Sequence, residues 1–410
     1  MSTNYKSQVW YSSVGNVVYM LCQWLLTVIT TRASGADAAG VIALAMSVGN
    51  IFFFIQMYGM RSYQVSDING QFSVKQYVFS RYASVSMGVF LCICYLLISG
   101  YDIEKKGAIL LFLLYRTFEA ISDVYFGELQ KKGRLDIPAK SMTVKGIASV
   151  LVFWAVIEIT DNLLAALLSI VILSLLTIVI YDKPHFKKLT GYAKGRVSVK
   201  ETAAPLKTCF TLLISTLLPI VVTSYPRITL DRIYGSEILG YYGNVSAPTT
   251  IIITIIPSAL VPVMTLYATW ILEKNYRKLM KGFLASLFAT TVFGAVCALS
   301  VLLLGDFVMS LIYTDSILPY VHYLYPLLIS TTIYAATMCV NSVLISLRKN
   351  NAVLIFSAVA MLCCILICSP LTEKYEIAGV ISATGISYVV QFLGQLIYLT
   401  VLIVKIKKKS

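Results

Sequence analysis

The sequence predicts an all-α integral membrane protein of about twelve transmembrane helices, arranged as two six-helix bundles. Three observations predict it. Apolar residues make up 58% of the 410 residues and charged residues only 13%, with a mean hydropathy of +0.80. A soluble domain of this size has no use for so much apolar surface. Twelve apolar segments can be marked, near 11–31, 38–58, 77–99, 107–128, 139–158, 162–181, 208–226, 238–264, 282–304, 322–346, 352–369 and 378–404. Each is close to the roughly 20 residues that a membrane-crossing helix needs. Finally, the pattern R-x-x-G-x-[DE]-x-x-G occurs twice, from Arg32 to Gly40 and, 200 residues later, from Arg232 to Gly240. Both copies follow one apolar span and precede another, as a tight charged hairpin kept in each half of a duplicated chain. Repeated halves are the usual build of secondary transporters, with the substrate site where the halves meet.

Charge sets the orientation. With the N-terminus placed inside, 24 of the 33 Lys and Arg residues fall in inward loops and termini, from Lys6 to Lys405, Lys407, Lys408 and Lys409. Six fall outside (Arg32, Lys105, Lys106, Arg227, Arg232, Lys374), and Arg81, Arg116 and Lys145 lie within spans. This bias puts both termini in the cytoplasm. The net charge of +14 is then mostly topological and no sign of nucleic-acid binding, although a basic inner face also attracts anionic lipid headgroups. A mostly polar ten-residue lead runs directly into a full-length span, so the first helix is expected to be a signal anchor rather than a cleaved signal peptide.

The first two spans flank the Arg32–Gly40 hairpin, with Gly35 and Asp37 at its turn. Arg81 sits about one turn into the third span, where it can either line the interior or reach back to the interface. The fourth span is anomalous because Arg116, Glu119 and Asp123 all interrupt it. Offsets of three and seven residues keep the three within about 60° of one another on one helical face. A charge at the bilayer centre costs about 2.5–3.5 kcal/mol, so this stripe must face the bundle interior or a wet cavity. The fifth span adds Lys145 at a depth like that of Asp123, and the two are expected to approach each other. Such charges either lock the helices together or line a path for an anionic cargo or a coupling ion.

The longest hydrophilic stretch, Asp182 to Lys207, divides the chain into residues 1–181 and 208–410. Its Pro, Gly and Lys content, including Lys194 and Arg196, marks a basic cytoplasmic connector. In the second half, Arg227, Asp231 and Arg232 cluster at the outer end of the seventh span, matching Arg32 in the first half. Paired arginine hairpins suit an exit for phosphate, since guanidinium binds its oxygens bidentately; loop geometry alone is the other explanation. Nine of the eleven prolines lie beyond residue 200. Pro219 and Pro226 in the seventh span, and Pro248, Pro257 and Pro262 in the eighth, bend helices statically or serve as hinges. The eighth span can be broken.

Several chemistries find no support. There is no G-x-x-x-x-G-K-[ST] for ATP, and His185 and His322 lie far apart in or near loops, so no metal or other cofactor is expected. The nine cysteines sit in apolar helices without a C-x-x-C pair and behave as small buried hydrophobes. No acidic loop pair resembles a glycosyl-transfer site, so an enzyme is not expected. Tyrosines such as Tyr11, Tyr58, Tyr101 and Tyr320 at span ends form an interfacial belt.

From residue 12 onward the chain resembles a family. Ser12-Ser13-Val14-Gly15-Asn16, Gln23-Trp24-Leu25-Leu26 and Thr30-Thr31-Arg32 are similar to the first helix of the Wzx-type repeat-unit flippases of bacteria. So are Phe118-Glu119, Ser122-Asp123, Phe126-Gly127 and Gln130, running on to Arg134, Asp136, Ala139-Lys140-Ser141. The likeness covers roughly the first 180 residues; beyond them it rests on the twelve-span topology and on Tyr375-Glu376-Ile-Ala-Gly379 with Ala383 at the start of the last helix.

The resemblance implies the MATE-like architecture of the MOP superfamily, shared with multidrug exporters and the lipid II flippase. It implies translocation of undecaprenyl-pyrophosphate-linked oligosaccharides from the inner to the outer leaflet of the bacterial plasma membrane, for O-antigen (lipopolysaccharide), capsule or exopolysaccharide assembly. Partners would be the lipid-linked cargo, membrane lipids, and a polymerase or other assembly proteins.

On that reading Arg116, Lys145, Arg81, Arg32, Arg232 and Arg227 supply cations for the pyrophosphate. Glu119, Asp123 and Asp231 balance charge or bind a coupling cation, and Pro219, Pro248 and Pro257 are hinges. A cation-coupled drug exporter would favour acids without nearby cations, and a membrane polymerase would carry a large external loop. A nontransporting scaffold would leave the buried charges unexplained.

Overall fold

The computed structural model describes residues 3–67, 69–192, 195 and 197–409. Of the residues singled out above, Lys194 and Arg196 lie outside the described residues, as do the side chains of Lys6, Ser12, Ser13 and Lys407 to Lys409. The described residues form thirteen α-helices joined by short 3-10 and π turns. They are α1 (Thr3–Met57), α2 (Met60–Ser66), α3 (Val74–Ile98), α4 (Ile103–Lys131), α5 (Asp136–Thr160), α6 (Leu163–Thr177) and α7 (Lys183–Thr190). Then come α8 (Val199–Tyr234), α9 (Ser236–Ser246), α10 (Thr250–Leu272), α11 (Tyr276–Ile312), α12 (Leu324–Ser346) and α13 (Asn350–Lys409).

All twelve expected spans find a helix. Among the described residues, nine helical stretches are long and apolar enough to cross a membrane. Two of these are broken, α1 at Gly35 and α13 at Glu376, so each holds two spans. The charged helix α4 completes the set. The chain is a multi-pass membrane protein. Large apolar side chains stay exposed along its helices, Leu303 at 71% and Phe307 at 67% on α11 among them, as lipid-facing surfaces require.

The repeated hairpin has one backbone solution in both copies. Gly35 has φ 82° and ψ −173°, and Gly235, between α8 and α9, has φ 85° and ψ 177°. That region is essentially reserved for glycine, which explains the residue kept at this point of the pattern. The eighth span is broken as well, by a 3-10 turn at Ala247–Thr249 that contains Pro248. Pro257 and Pro262 lie inside α10.

Contacts divide the chain into two compact units, Met1–Ile220 and Val221–Ser410, so the division falls inside α8 one residue after Pro219. In the first unit α1 packs against α3, α4 and α5, and α5 also against α6. Tyr58, Met60, Tyr77, Tyr125, Phe186 and Cys209 form a buried cluster at one end, drawing α7 and the start of α8 into this unit. Gly59, at φ 61°, turns the chain from α1 into the short α2. The loop after α2 is pinned by Asp67, which accepts hydrogen bonds from the backbone amides of Gln71 (2.8 Å) and Phe72 (3.1 Å) and from the Tyr77 hydroxyl (2.9 Å). In the second unit α12 is enclosed by α10, α11 and α13. Its core includes Val222, Cys364 and Tyr388, with Tyr334 stacked on Tyr388 at 4.6 Å.

Candidate functional site

Helix α4 carries the charged stripe into the interior of the first unit, where it meets cations from three other helices. Asp123 is buried, and its two oxygens are divided between two arginines. Oδ2 accepts from Arg81 Nη2 of α3 at 2.8 Å, and Oδ1 from Arg61 Nη1 of α2 at 3.0 Å. Arg81 has no exposed surface; its Nη1 also donates to the Gln56 carbonyl at 2.6 Å. That carbonyl accepts a second bond, from Ser84 Oγ at 2.7 Å, which ties α1 to α3 at this level.

One helical turn away, Glu119 pairs with Arg116 on its own helix, and Lys145 Nζ of α5 lies 3.9 Å from Glu119 Oε1. The Arg116 guanidinium covers the Phe53 ring at 3.8 Å, and the Lys145 ammonium lies 5.7 Å from the Tyr19 ring. Tyr19 and Tyr115 share a 2.7 Å hydrogen bond, and Gln23 donates to the Tyr115 hydroxyl at 2.6 Å, giving the cluster a polar margin.

Two expectations need correction. Lys145 approaches Glu119, not Asp123, because α2 and α3 already occupy both oxygens of Asp123. Arg81 does not reach back to the interface; it is fully enclosed. Arg81, Arg116, Glu119, Asp123 and Lys145 do come together. Arg32 and Arg232 do not join them: both are exposed, beside the two glycine breaks. In the second unit Arg227 donates to Ser246 Oγ at 3.1 Å and lies 5.8 Å from the Tyr242 ring, while buried Asp231 accepts from Ser236 Oγ at 2.8 Å.

Among the described residues, the ion-paired cluster sets four cations (Arg61, Arg81, Arg116, Lys145) against two carboxylates. Several of its buried polar atoms have no hydrogen-bond partner: Arg81 Nε, Arg116 Nε and Glu119 Oε1. Arg116 is the most accessible of the inner three cations, its side chain 17% exposed against 3% for Lys145 and 0% for Arg81. A cluster with more cations than carboxylates and with unsatisfied donors is suited to receive an anion.

No family model matches the chain. The capsular polysaccharide biosynthesis protein CapF of Staphylococcus aureus is 26% identical over 242 residues, 58% of this chain and 59% of CapF. The match thus spans about three fifths of that relative's length. An inward-facing multidrug resistance MATE transporter of the MOP superfamily aligns with a TM-score of 0.73 at 14% identity, covering 97% of this chain and 96% of that one. The chain has the MOP fold. The lipid II flippase MurJ in an inward closed conformation shares it, with a TM-score of 0.71 at 14% identity over 97% of this chain and 88% of MurJ. The resemblance to Wzx-type flippases read from the sequence agrees with both kinds of relative.

Within this MOP fold, sequence reasoning missed Arg61, which was counted as a loop cation. Its signal was available: the Tyr58-Gly59 dipeptide ends the second span, and α2 folds back from Gly59. Asp182 was also missed. Assigned to the connector, it is fully buried in the π turn after α6, accepting from Ser122 Oγ and Ser141 Oγ at 2.6 Å each.

Proposed function

We propose that the chain moves undecaprenyl-pyrophosphate-linked oligosaccharide repeat units from the inner to the outer leaflet of the bacterial plasma membrane by alternating access, for O-antigen, capsule or exopolysaccharide assembly. The observation that carries this reading is the ion-paired cluster of the first unit, in which four cations face two carboxylates. A pyrophosphate supplies the missing negative charge, and its oxygens suit guanidinium donors. Arg116 is the first contact, with Lys145 beside it; Arg81 and Arg61 hold Asp123 and so position α4. Glu119 balances the site between cargoes or takes a coupling cation. Arg32 and Arg232, both exposed at the glycine breaks, and Arg227 guide the headgroup outward, with Asp231 as their counter-charge. Pro219, Pro248 and Pro257 serve as hinges. Both termini face the cytoplasm, and a polymerase takes over the released cargo. The name of the capsular polysaccharide relative supports the same cargo class.

The test is deletion of the gene and complementation with wild type or Arg116→Ala, reading surface polysaccharide and undecaprenyl-linked repeat units at the inner leaflet. Lost surface polymer with stranded repeat units, rescued by wild type and not by an equally expressed Arg116→Ala, is the expected result. A second reading, a cation-coupled drug exporter, draws support from the fold shared with the MATE transporter. Normal polymer with altered drug sensitivity in the deletion strain decides for that reading.

A further inference from the structure

A second anion site lies away from the charged cluster, where α3 begins, α4 ends and α7 crosses between them. A cavity of about 290 Å³ opens there, walled by Tyr82, Tyr125, Phe186 and Tyr192 and flanked by Lys183 and Lys187. Tyr125 stacks on Phe186 at 4.5 Å, Phe186 meets Tyr192 at 5.3 Å, and the hydroxyls of Tyr82 and Tyr125 are 3.0 Å apart. The aromatic wall is thus a fixed surface anchored by buried Phe186. A third cation comes to the same place: a Cβ built on Gly195, which lines the cavity, would lie 2.6 Å from Lys75 Nζ.

The charges are arranged against their own interest. Lys183 and Lys187 stand at i and i+4 on α7, where like charges repel, and among the described residues no carboxylate lines the cavity. The neighbouring Asp182, held by serines of α4 and α5, keeps its negative charge and offsets part of theirs. Three lysines therefore converge on an aromatic pocket beside a single carboxylate, Asp182, which leaves a net positive charge there. An anion alone would satisfy the lysines, but the rings want apolar atoms and the tyrosine hydroxyls want polar partners. A phosphate ester of a polyol supplies all three. The volume is at the small end of ligand cavities, sized for a headgroup rather than a long molecule. The site also lies at span ends, the depth of lipid headgroups, where basic residues meet anionic lipid.

We propose that this pocket binds the phosphate-ester headgroup of an anionic glycerophospholipid, at the end of the first unit that carries the connector. The inference does not depend on the nature of the transported cargo. The experiment uses the full chain purified in a neutral detergent, following its thermal midpoint during titration with phosphatidylglycerol, phosphatidylcholine or soluble glycerol phosphate. Phosphatidylglycerol is expected to raise the midpoint saturably, and phosphatidylcholine is not. The Lys183→Gln/Lys187→Gln variant should bind phosphatidylglycerol about thirtyfold more weakly, while the corresponding pair of Arg substitutions keeps the affinity. If the Gln pair does not fold, Lys75→Gln carries the test with about a fivefold loss. A glycerol phosphate response that is lost in the same variants assigns the pocket to the free ester. Equal responses of wild type and variants to phosphatidylglycerol, or a phosphatidylcholine response matching it, overturn the proposal.

Discussion

Replacing Asp123 by Asn preserves the side chain's shape and removes the charge that two arginines share. Arg61, with 32% of its side chain exposed, can turn to water; Arg81, with none exposed, cannot. Arg81 would keep its bond to the Gln56 carbonyl, but its charge would be buried without a counter-charge. Breaking a buried pair in this way costs about 3–5 kcal/mol. For a unit of this size that corresponds to a fall in thermal midpoint on the order of 10 °C. The double variant Arg81→Gln/Asp123→Asn removes the stranded charge, so it should recover part of the loss. A coupling of about 1–3 kcal/mol is expected, against agreement within about 0.5 kcal/mol for independent sites.

The assay is thermal unfolding of the purified wild type, both single variants and the double variant, alongside polymer export for each. Additive losses would refute the claim that Arg81 and Asp123 form one structural lock. An unchanged midpoint with lost export in Asp123→Asn would move Asp123 from the scaffold to the cargo path. Arg116→Ala is expected to show the opposite pattern, a small change in midpoint with export abolished.

Gly35→Ala and Gly235→Ala should each destabilise the protein by about 1–3 kcal/mol, through backbone strain alone, because nothing lies within 4 Å of either Cβ position. Thermal midpoints that leave either variant unchanged would sink the common-hairpin argument. A Cβ at Gly379 would collide with the backbone carbonyl of Leu371 across the Glu376 break, so Gly379→Ala should lose at least the about 1–3 kcal/mol of an overpacked core, seen as a fall in folded yield.

Burial raises the Asp67 pKa, but its hydrogen bonds from Gln71, Phe72 and Tyr77 outweigh that effect, and the net shift is downward. A lowered folded pKa means stability that is present above the ordinary carboxylate value of about 3.9 and lost as pH falls through the folded value. Midpoints measured between about pH 6 and pH 3 should therefore fall in wild type more than in Asp67→Asn; parallel curves would contradict the assignment.

The spans were legible because length and apolarity are what a bilayer selects, and each of the twelve segments corresponds to a helix or half of one, except the eighth, which runs over α9 and α10. The α4 stripe was legible for the converse reason: buried charge is costly, so Arg116, Glu119 and Asp123 had to turn inward. Their partners were not. Depth along a helix says nothing about its rotation, and Lys145 shares a depth with Asp123 yet meets Glu119. Arg61 was hidden by two successive positive-φ residues, Tyr58 at 54° and Gly59 at 61°, which return α2 to the bundle. Asp182 was hidden by a π turn, which carries the polar start of the connector under Ser122 and Ser141.

The two halves have kept different things from their common pattern. The hairpin glycines agree closely in both dihedrals, since φ is 82° and 85° and ψ is −173° and 177°. No other residue type tolerates that conformation without strain, so the backbone device resists replacement. Side chains inside the bundles face no such limit. Among the described residues, the first unit buries Asp67, Arg81, Asp123, Glu128, Lys145 and Asp182, whereas the second buries Asp231 alone of its charged residues. Where the first unit has its ion-paired cluster, the second fills its core with stacked Tyr334 and Tyr388 and with Cys364. The articulation between paired helices is thus common to both halves, while the buried cations are specific to one. Among the described residues, buried positive charge is thus a property of the first unit, whereas the glycine break belongs to both.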